Sequence, residues 1–168
     1  MAAPNQDPIP LNPIEAKANF EADLPVVLKG RPLEETAWMR LDDLTLIVPL
    51  VGIADGAQPD FYFLRLNFGY YRDWPPSAIF VNPRTRAFKD GDDNTWLPKI
   101  EGCPEIAVHV NFQGSGQLIC CSNTLEFYKV KHSVEAKHVW DAKSQNFAAT
   151  INAVQRALRS PFYKGRQA

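Results

Sequence analysis

One short stretch of the chain holds the residue types that acyl-transfer chemistry uses. It begins at Asn111, crosses a turn with two glycines and ends at Cys120, nine residues later. A thiolate is a strong nucleophile, and acyl transfer also needs a hydrogen-bond donor aimed at the oxygen that becomes negative. The carboxamide of an asparagine donates without titrating. The spacing therefore indicates a cysteine acyl-transfer site in which the turn brings Asn111 and Cys120 to one reaction centre.

Two thiols compete for the role of nucleophile, because Cys121 follows Cys120 directly. Side chains alternate along an extended segment, so only one of two adjacent thiols faces a given side. Cys120 is the predicted nucleophile and Cys121 the alternative. Both thiols also suit a purely structural role, since free cysteine is among the most buried residue types.

Two other chemistries fit the residue types less well. A zinc site could draw on the cysteines and histidines, which are Cys103, His109, Cys120, Cys121, His132 and His138. Their spacing contains no CxxC pair and fits no closed four-ligand pattern, so we expect neither a metal nor another cofactor. A Cys-His-Asn hydrolase remains an alternative, although its histidine and asparagine usually come from separate elements.

The composition bounds the class of protein. The chain has 168 residues and 18.9 kDa, with 45% hydrophobic residues, 22% charged residues and a net charge of −1. These values predict one globular domain and give no basic excess for binding nucleic acid. No apolar run approaches the ~20 residues of a membrane span. The N-terminal residues lack a signal-peptide pattern, and three cysteines cannot form a disulfide framework. We therefore expect a cytoplasmic protein with reduced thiols.

The elements around this stretch predict an α+β fold with one antiparallel sheet. Residues 1–12 form a flexible lead and residues 13–168 a single domain. A helix starts after Asn12 and ends near Pro25, while Pro49 indicates an edge position or a bulge in its strand. The predicted elements are strands at 44–51, 60–68 and 79–81, a long loop at 84–105, an extended segment at 106–111 and an amphipathic helix at 147–161 that Asn146 caps.

The motifs and their order resemble those of ubiquitin-conjugating enzymes. In that family a His-Pro-Asn tripeptide precedes a glycine turn and an Ile-Cys pair. The matching segments here are His109-Val110-Asn111, Gly116, Ile119-Cys120, the aromatic strand 61–68, Tyr71-Arg72-Asp73-Trp74-Pro75-Pro76, Trp140 and the closing helix 147–161. The resemblance implies an N-terminal helix, a meander of about four strands, an active-site loop and a C-terminal helix.

Departures from the family pattern point to its divergent bacterial branch. Val110 replaces the middle proline, one extra residue lies between Gly116 and Cys120, and the interval from Cys120 to Trp140 is long. Members of this branch act with a ThiF-like activating enzyme and a ubiquitin-like protein. Several are associated with defence against phage.

The resemblance also implies how the residues would act. Cys120 would accept the ubiquitin-like protein as a thioester and pass it to a lysine of a target protein. Asn111 would stabilise the oxyanion or hold the loop that shapes the site, and His109 would hold the turn rather than act as a base. The helix near Ile14–Leu24 would meet the activating enzyme. A non-catalytic module that only binds a modifier is the alternative function, although inactive members typically lose the cysteine.

Overall fold

The computed structural model describes residues 7–114, 116–130 and 139–167. The chain forms α1 (Pro13–Val27), β1 (Met39–Asp42), β2 (Thr45–Gly52), β3 (Asp60–Asn67), β4 (Ser77–Val81), β5 (Pro98–Ile100), β6 (Ala107–Val110), β7 (Gln117–Cys120), α2 (Leu125–Lys129), α3 (Ala148–Ala157) and β8 (Tyr163–Arg166). The α+β prediction is thereby confirmed. Among the described residues, none of the helices has the length and apolar character of a membrane span.

Helix α1 packs one aromatic residue deep into the core. The Asn12 side chain accepts a hydrogen bond from the backbone N–H of Ile14 at 2.9 Å, which caps the helix as expected. Phe20 is fully buried and stacks on Phe68, with ring centroids 4.1 Å apart. The expected end at Pro25 is wrong, because the helix continues to Val27. Pro25 lacks the N–H that would donate to the preceding turn of the helix. The backbone N–H groups from Leu28 onward do donate to carbonyls of the last helical turn, so the helix continues past the proline.

The main sheet is a meander in the order β1-β2-β3-β4, with every neighbouring pair antiparallel. Its inner face is apolar and buried: Leu46, Val48, Leu50, Tyr62, Leu64, Leu66, Ala78 and Phe80. Strand β1 pairs with β2 only as far as Ile47. Pro49 therefore lies where one side of β2 has no strand neighbour, so its missing N–H breaks no ladder bond there.

Helix α3 lies against the sheet and supports strand β2. The predicted cap at Asn146 is wrong by one residue, because the N-cap position is Phe147, whose side chain makes no capping hydrogen bond. The Asn146 side chain, one residue earlier, accepts a hydrogen bond from the N–H of Ala148 at 3.0 Å. The Gln155 side chain donates to the carbonyl of Val51 at 2.8 Å and accepts from its N–H at 3.3 Å. These two bonds satisfy backbone groups on the edge of β2 that strand β1 does not reach.

The prediction of one long loop at 84–105 is wrong. The segment contains a short 3-10 turn at Asn94–Trp96 and strand β5, which pairs with β8 near the end of the chain. A three-residue strand is too short to show a period-two pattern. Its partner lies more than 60 residues away in the sequence, so no local signal marks the pairing.

A polar network fastens strand β8 to strand β3. The Tyr163 hydroxyl donates to Asp60 at 2.6 Å and lies 2.6 Å from the Tyr62 hydroxyl. The Arg166 guanidinium donates to Asp60 at 2.9 Å and stacks over the ring of Tyr62 at 4.8 Å. The C-terminal segment is thus held by mutually satisfied polar groups, of which the two tyrosines are buried.

We predict that Tyr163→Phe destabilises the fold by about 1–3 kcal/mol, because it removes the partner of two polar groups at a buried site. Thermal unfolding of the purified variant measures this effect. Tyr70→Phe, at a half-buried position outside the network, is the control. Equal unfolding midpoints for both variants and the unmodified chain would contradict the prediction.

Candidate active site

The predicted site residues lie on a β-hairpin formed by β6 and β7. Its register pairs Ala107 with Cys120 and His109 with Leu118. Residues that are directly opposite in an antiparallel pair share one face. Cys120 and His109 therefore project from the same face of the hairpin, and the other face contributes Ile119 to the core.

Asn111 begins the turn of this hairpin. Its backbone lies in the left-handed region, with φ of 56°, where asparagine is enriched among non-glycine residues. Its side chain is exposed. At about 3.3 Å per residue, Asn111 lies roughly 13 Å along the hairpin from the Cα of Ala107, which is opposite Cys120. The hairpin thus brings His109 alongside Cys120 and holds Asn111 at its far end.

The segment 84–105 supports the turn at Gly116. Gly116 has φ of 69°, and a methyl group on its Cα would lie 2.7 Å from the Cβ of Asp90. Only glycine tolerates both this backbone conformation and this approach. Segment 84–105, whose role the sequence did not indicate, therefore packs against the start of β7.

The two adjacent thiols differ in exposure and acidity. Cys120 is half-buried, and burial raises the pKa of its thiol. Cys121 is only 2% exposed, and burial raises the pKa of its thiol to about 11. The N–H of Asn123 lies 3.5 Å from the sulfur of Cys121. Cys120 is thus the more accessible of the two and Cys121 is part of the core.

A cavity of about 350 Å³ opens beside Cys121. Its lining includes Cys121, Asn123, Phe127, Gln145, Glu105 and Arg156. Arg156 and Glu105 form an ion pair at 2.8 Å on its exposed rim. Most of these residues carry no sequence motif, because the cavity forms only where four separate segments meet.

Asn123 joins the cysteine segment to the loop before α3. Its carbonyl accepts a hydrogen bond from Thr150 at 2.6 Å, and its side-chain oxygen accepts one from Gln145 at 3.3 Å. The guanidinium of Arg72 donates to the carbonyl of Gln145 at 3.2 Å. No motif in the sequence marks Asn123, and the structure places it in this network.

The remaining candidate metal ligands do not form a cluster in the described residues. Within residues 7–114, 116–130 and 139–167, no group of three or more His, Cys, Asp or Glu side chains could hold a metal ion. His132 and His138 lie outside these ranges. Cys103 is half-buried and packs against the core.

Comparison of the chain with protein-family models, with curated proteins and with solved structures gives no match. A functional proposal for this chain therefore depends on its own residues, on the order of its elements and on the chemistry of the hairpin. The half-exposed thiol of Cys120 is the feature with the clearest chemical capacity, because an accessible thiol can take up an acyl group.

Proposed function

We propose that this chain is a ubiquitin-conjugating-like transferase that carries a ubiquitin-like protein as a thioester on Cys120. The observation that supports this most is the position of the Cys120 thiol. It is partly exposed and ends a strand of the hairpin that also bears His109 and Asn111. A nucleophile for a large protein substrate must be reachable from outside, and Cys120 meets this condition better than Cys121.

The order of elements supports a ubiquitin-conjugating-like fold. An N-terminal helix leads into a four-stranded meander, a segment with the cysteine follows, and a further helix packs on the sheet. The buried Trp140 donates its indole N–H to the carbonyl of Arg72 at 2.9 Å. The residues that match the family's Trp and proline-rich segment are thus hydrogen-bonded to each other here.

The proposed reaction consists of two acyl transfers. The Cys120 thiolate attacks the thioester carbonyl of the ThiF-like activating enzyme, and that enzyme's cysteine leaves as a thiolate. A lysine amine of the target protein then attacks the new thioester, and Cys120 leaves. No metal or cofactor is part of either step. We place the reaction in a cytoplasmic bacterial conjugation system for antiviral defence.

Asn111 has two proposed roles, holding the turn and stabilising the oxyanion, and each places a different demand on the geometry of the hairpin. Its left-handed backbone suits it to holding the turn that shapes the site. Stabilising the oxyanion on Cys120 requires its amide to come within about 3 Å of that oxygen. Since Asn111 lies at the far end of the hairpin, the oxyanion role requires the turn to rearrange when the modifier is bound.

A charging reaction tests the proposal. The chain is incubated with ATP, a ThiF-like activating enzyme and the ubiquitin-like protein that this enzyme activates. We expect an adduct of the chain with the modifier that disappears on treatment with a thiol reductant. Binding of the modifier without any covalent adduct favours the non-catalytic module. Cleavage of a simple acyl substrate without ATP favours the hydrolase.

The outer face of α1 is the surface we propose for the activating enzyme. Ile14 is 80% exposed and Val26 is 63% exposed, and Ala18 and Ala22 lie exposed between them. Exposed apolar side chains along one helix suit docking against a partner protein. Lys17 is the only basic residue of this helix and pairs with Asp43 at 2.9 Å. The contact would therefore be mainly apolar.

We predict that Ile14→Glu slows charging of Cys120 at least about tenfold, because a charge within an apolar contact is costly to desolvate. Folding should be unaffected, since the side chain projects into solvent. Phe61→Glu is the matched control, because Phe61 is also exposed but lies on the sheet. An equal charging rate for Ile14→Glu and the unmodified chain would place the partner elsewhere.

A further inference from the structure

His109 and Cys120 are diagonal neighbours on one face of the hairpin. Cys120 is opposite Ala107, and His109 stands two residues further along β6, opposite Leu118. The Cα atoms of residues at such diagonal positions are roughly 7–8 Å apart, and their Cβ atoms are slightly closer. The reach of an imidazole and a thiol together covers most of that separation.

The imidazole of His109 is accessible from solvent. The residue is exposed, and its ring centroid lies 6.4 Å from that of Phe112. The hairpin therefore offers a side chain that both accepts and releases a proton beside the thiol. Asn111, by contrast, is held at the turn.

Thiol chemistry at Cys120 needs such a group. Burial raises the pKa of the Cys120 thiol, so fewer molecules carry the thiolate at neutral pH. The thiolate is the nucleophile in acyl transfer, and a neighbouring histidine stabilises it as an ion pair. Cys120, whose thiol must lose a proton, and His109, whose ring can take it up, thus project from the same face of the hairpin.

We propose that His109 is the proton acceptor for Cys120, an inference whose transfer step rests on the proposed function. The proton of the Cys120 thiol moves to a ring nitrogen of His109. The resulting thiolate forms a new C–S bond to the thioester carbonyl carbon, and the C–S bond to the activating enzyme's cysteine breaks. The imidazolium of His109 then returns the proton to the departing thiolate. No oxidant, reductant or metal is consumed.

Alkylation of Cys120 tests this role without any partner protein. The full chain with Cys121→Ala, which removes the adjacent thiol, is treated with iodoacetamide at neutral pH, and modification of Cys120 is followed by mass spectrometry. We expect His109→Gln and His109→Ala to slow alkylation at least about tenfold. We also expect added imidazole to accelerate alkylation of His109→Ala more than that of the parent. Gln113→Ala, at an exposed position in the same turn, is the control.

The outcomes separate this inference from the proposed function. Equal alkylation rates in the parent and His109→Gln overturn the proton-acceptor role, even if the chain is charged with a modifier. Slow alkylation without imidazole rescue, together with a lowered unfolding temperature for both His109 variants, assigns His109 a structural role and also overturns it. A His109-dependent rate in a chain that is never charged supports the Cys-His pair but contradicts the transferase.

Discussion

Serine in place of Cys120 is expected to eliminate the reductant-sensitive adduct with the modifier. A serine hydroxyl is a far weaker nucleophile than a thiolate. If the hydroxyl does react, the product is an oxyester, which thiol reductants do not cleave. Gel electrophoresis of the charging reaction with and without reductant distinguishes the outcomes. The expected loss of the reducible band is complete, because the substituted atom itself forms the bond.

Cys121→Ala is the matched control for this experiment. Cys121 is 2% exposed and less accessible than Cys120, so its removal should leave the reducible adduct in place. Loss of the adduct with Cys121→Ala, but not with Cys120→Ser, would move the nucleophile by one residue. A reducible adduct that survives both substitutions would falsify a thioester at this hairpin.

Alanine in place of Asp23 is expected to destabilise the fold by about 3 kcal/mol. Asp23 is 6% exposed and accepts hydrogen bonds from the Tyr71 hydroxyl and from Arg72, the latter at 3.3 Å. Burial, together with the hydrogen bond to Asp23, raises the pKa of Tyr71. Without the carboxylate, the Arg72 guanidinium loses its ion-pair partner at a mostly buried position, where its Nε already has no hydrogen-bond partner.

The same substitution should also loosen the loop before α3. Arg72 donates to the carbonyl of Gln145, and the N–H of Phe147 donates to the Tyr71 hydroxyl at 3.2 Å. Thermal unfolding is the measurement, and a loss of this size lowers the midpoint by roughly 10 °C in a chain of this length. Asp43→Asn is the control. Asp43 also pairs with a cation, Lys17, but it is exposed, and we expect its replacement to leave the midpoint unchanged. Equal midpoints for Asp23→Ala and Asp43→Asn would contradict the assignment.

Periodicity and capping signals predicted the elements that carry their own local pattern. Helix α1 begins where Asn12 and Pro13 indicate, and strands β2, β3 and β4 overlap the apolar runs of the sequence. Helix α3 follows the recurrence of Ile151 and Val154, both buried against the core. These elements were predictable for one reason. An element that buries one apolar face needs apolar residues that repeat with the period of a helix or a strand.

Strand β1 shows where local signals failed. It joins β2 through a tight turn in which the Asp42 side chain accepts a hydrogen bond from the N–H of Leu44 at 2.8 Å. That turn contains neither glycine nor proline, and its one signal is the Asp42-Asp43 pair, which the strand assignment from apolar periodicity did not use. The sequence therefore predicted a single strand beginning near Leu44, and the structure adds a second strand before it.

The amino-acid sequence alone predicted a cysteine segment suited to acyl transfer, an α+β domain and the helix and strands that precede that segment. Residue type and spacing suffice for such conclusions, because nucleophilicity, capping and amphipathic repeats are local properties. Tertiary structure decided which residues meet. The register of β6 and β7 placed His109 beside Cys120 and Asn111 at the turn. It also turned Cys121 toward a cavity built from distant segments. Pairing between strands depends on contacts across the whole fold, and a one-residue change of register would reverse every one of these directions.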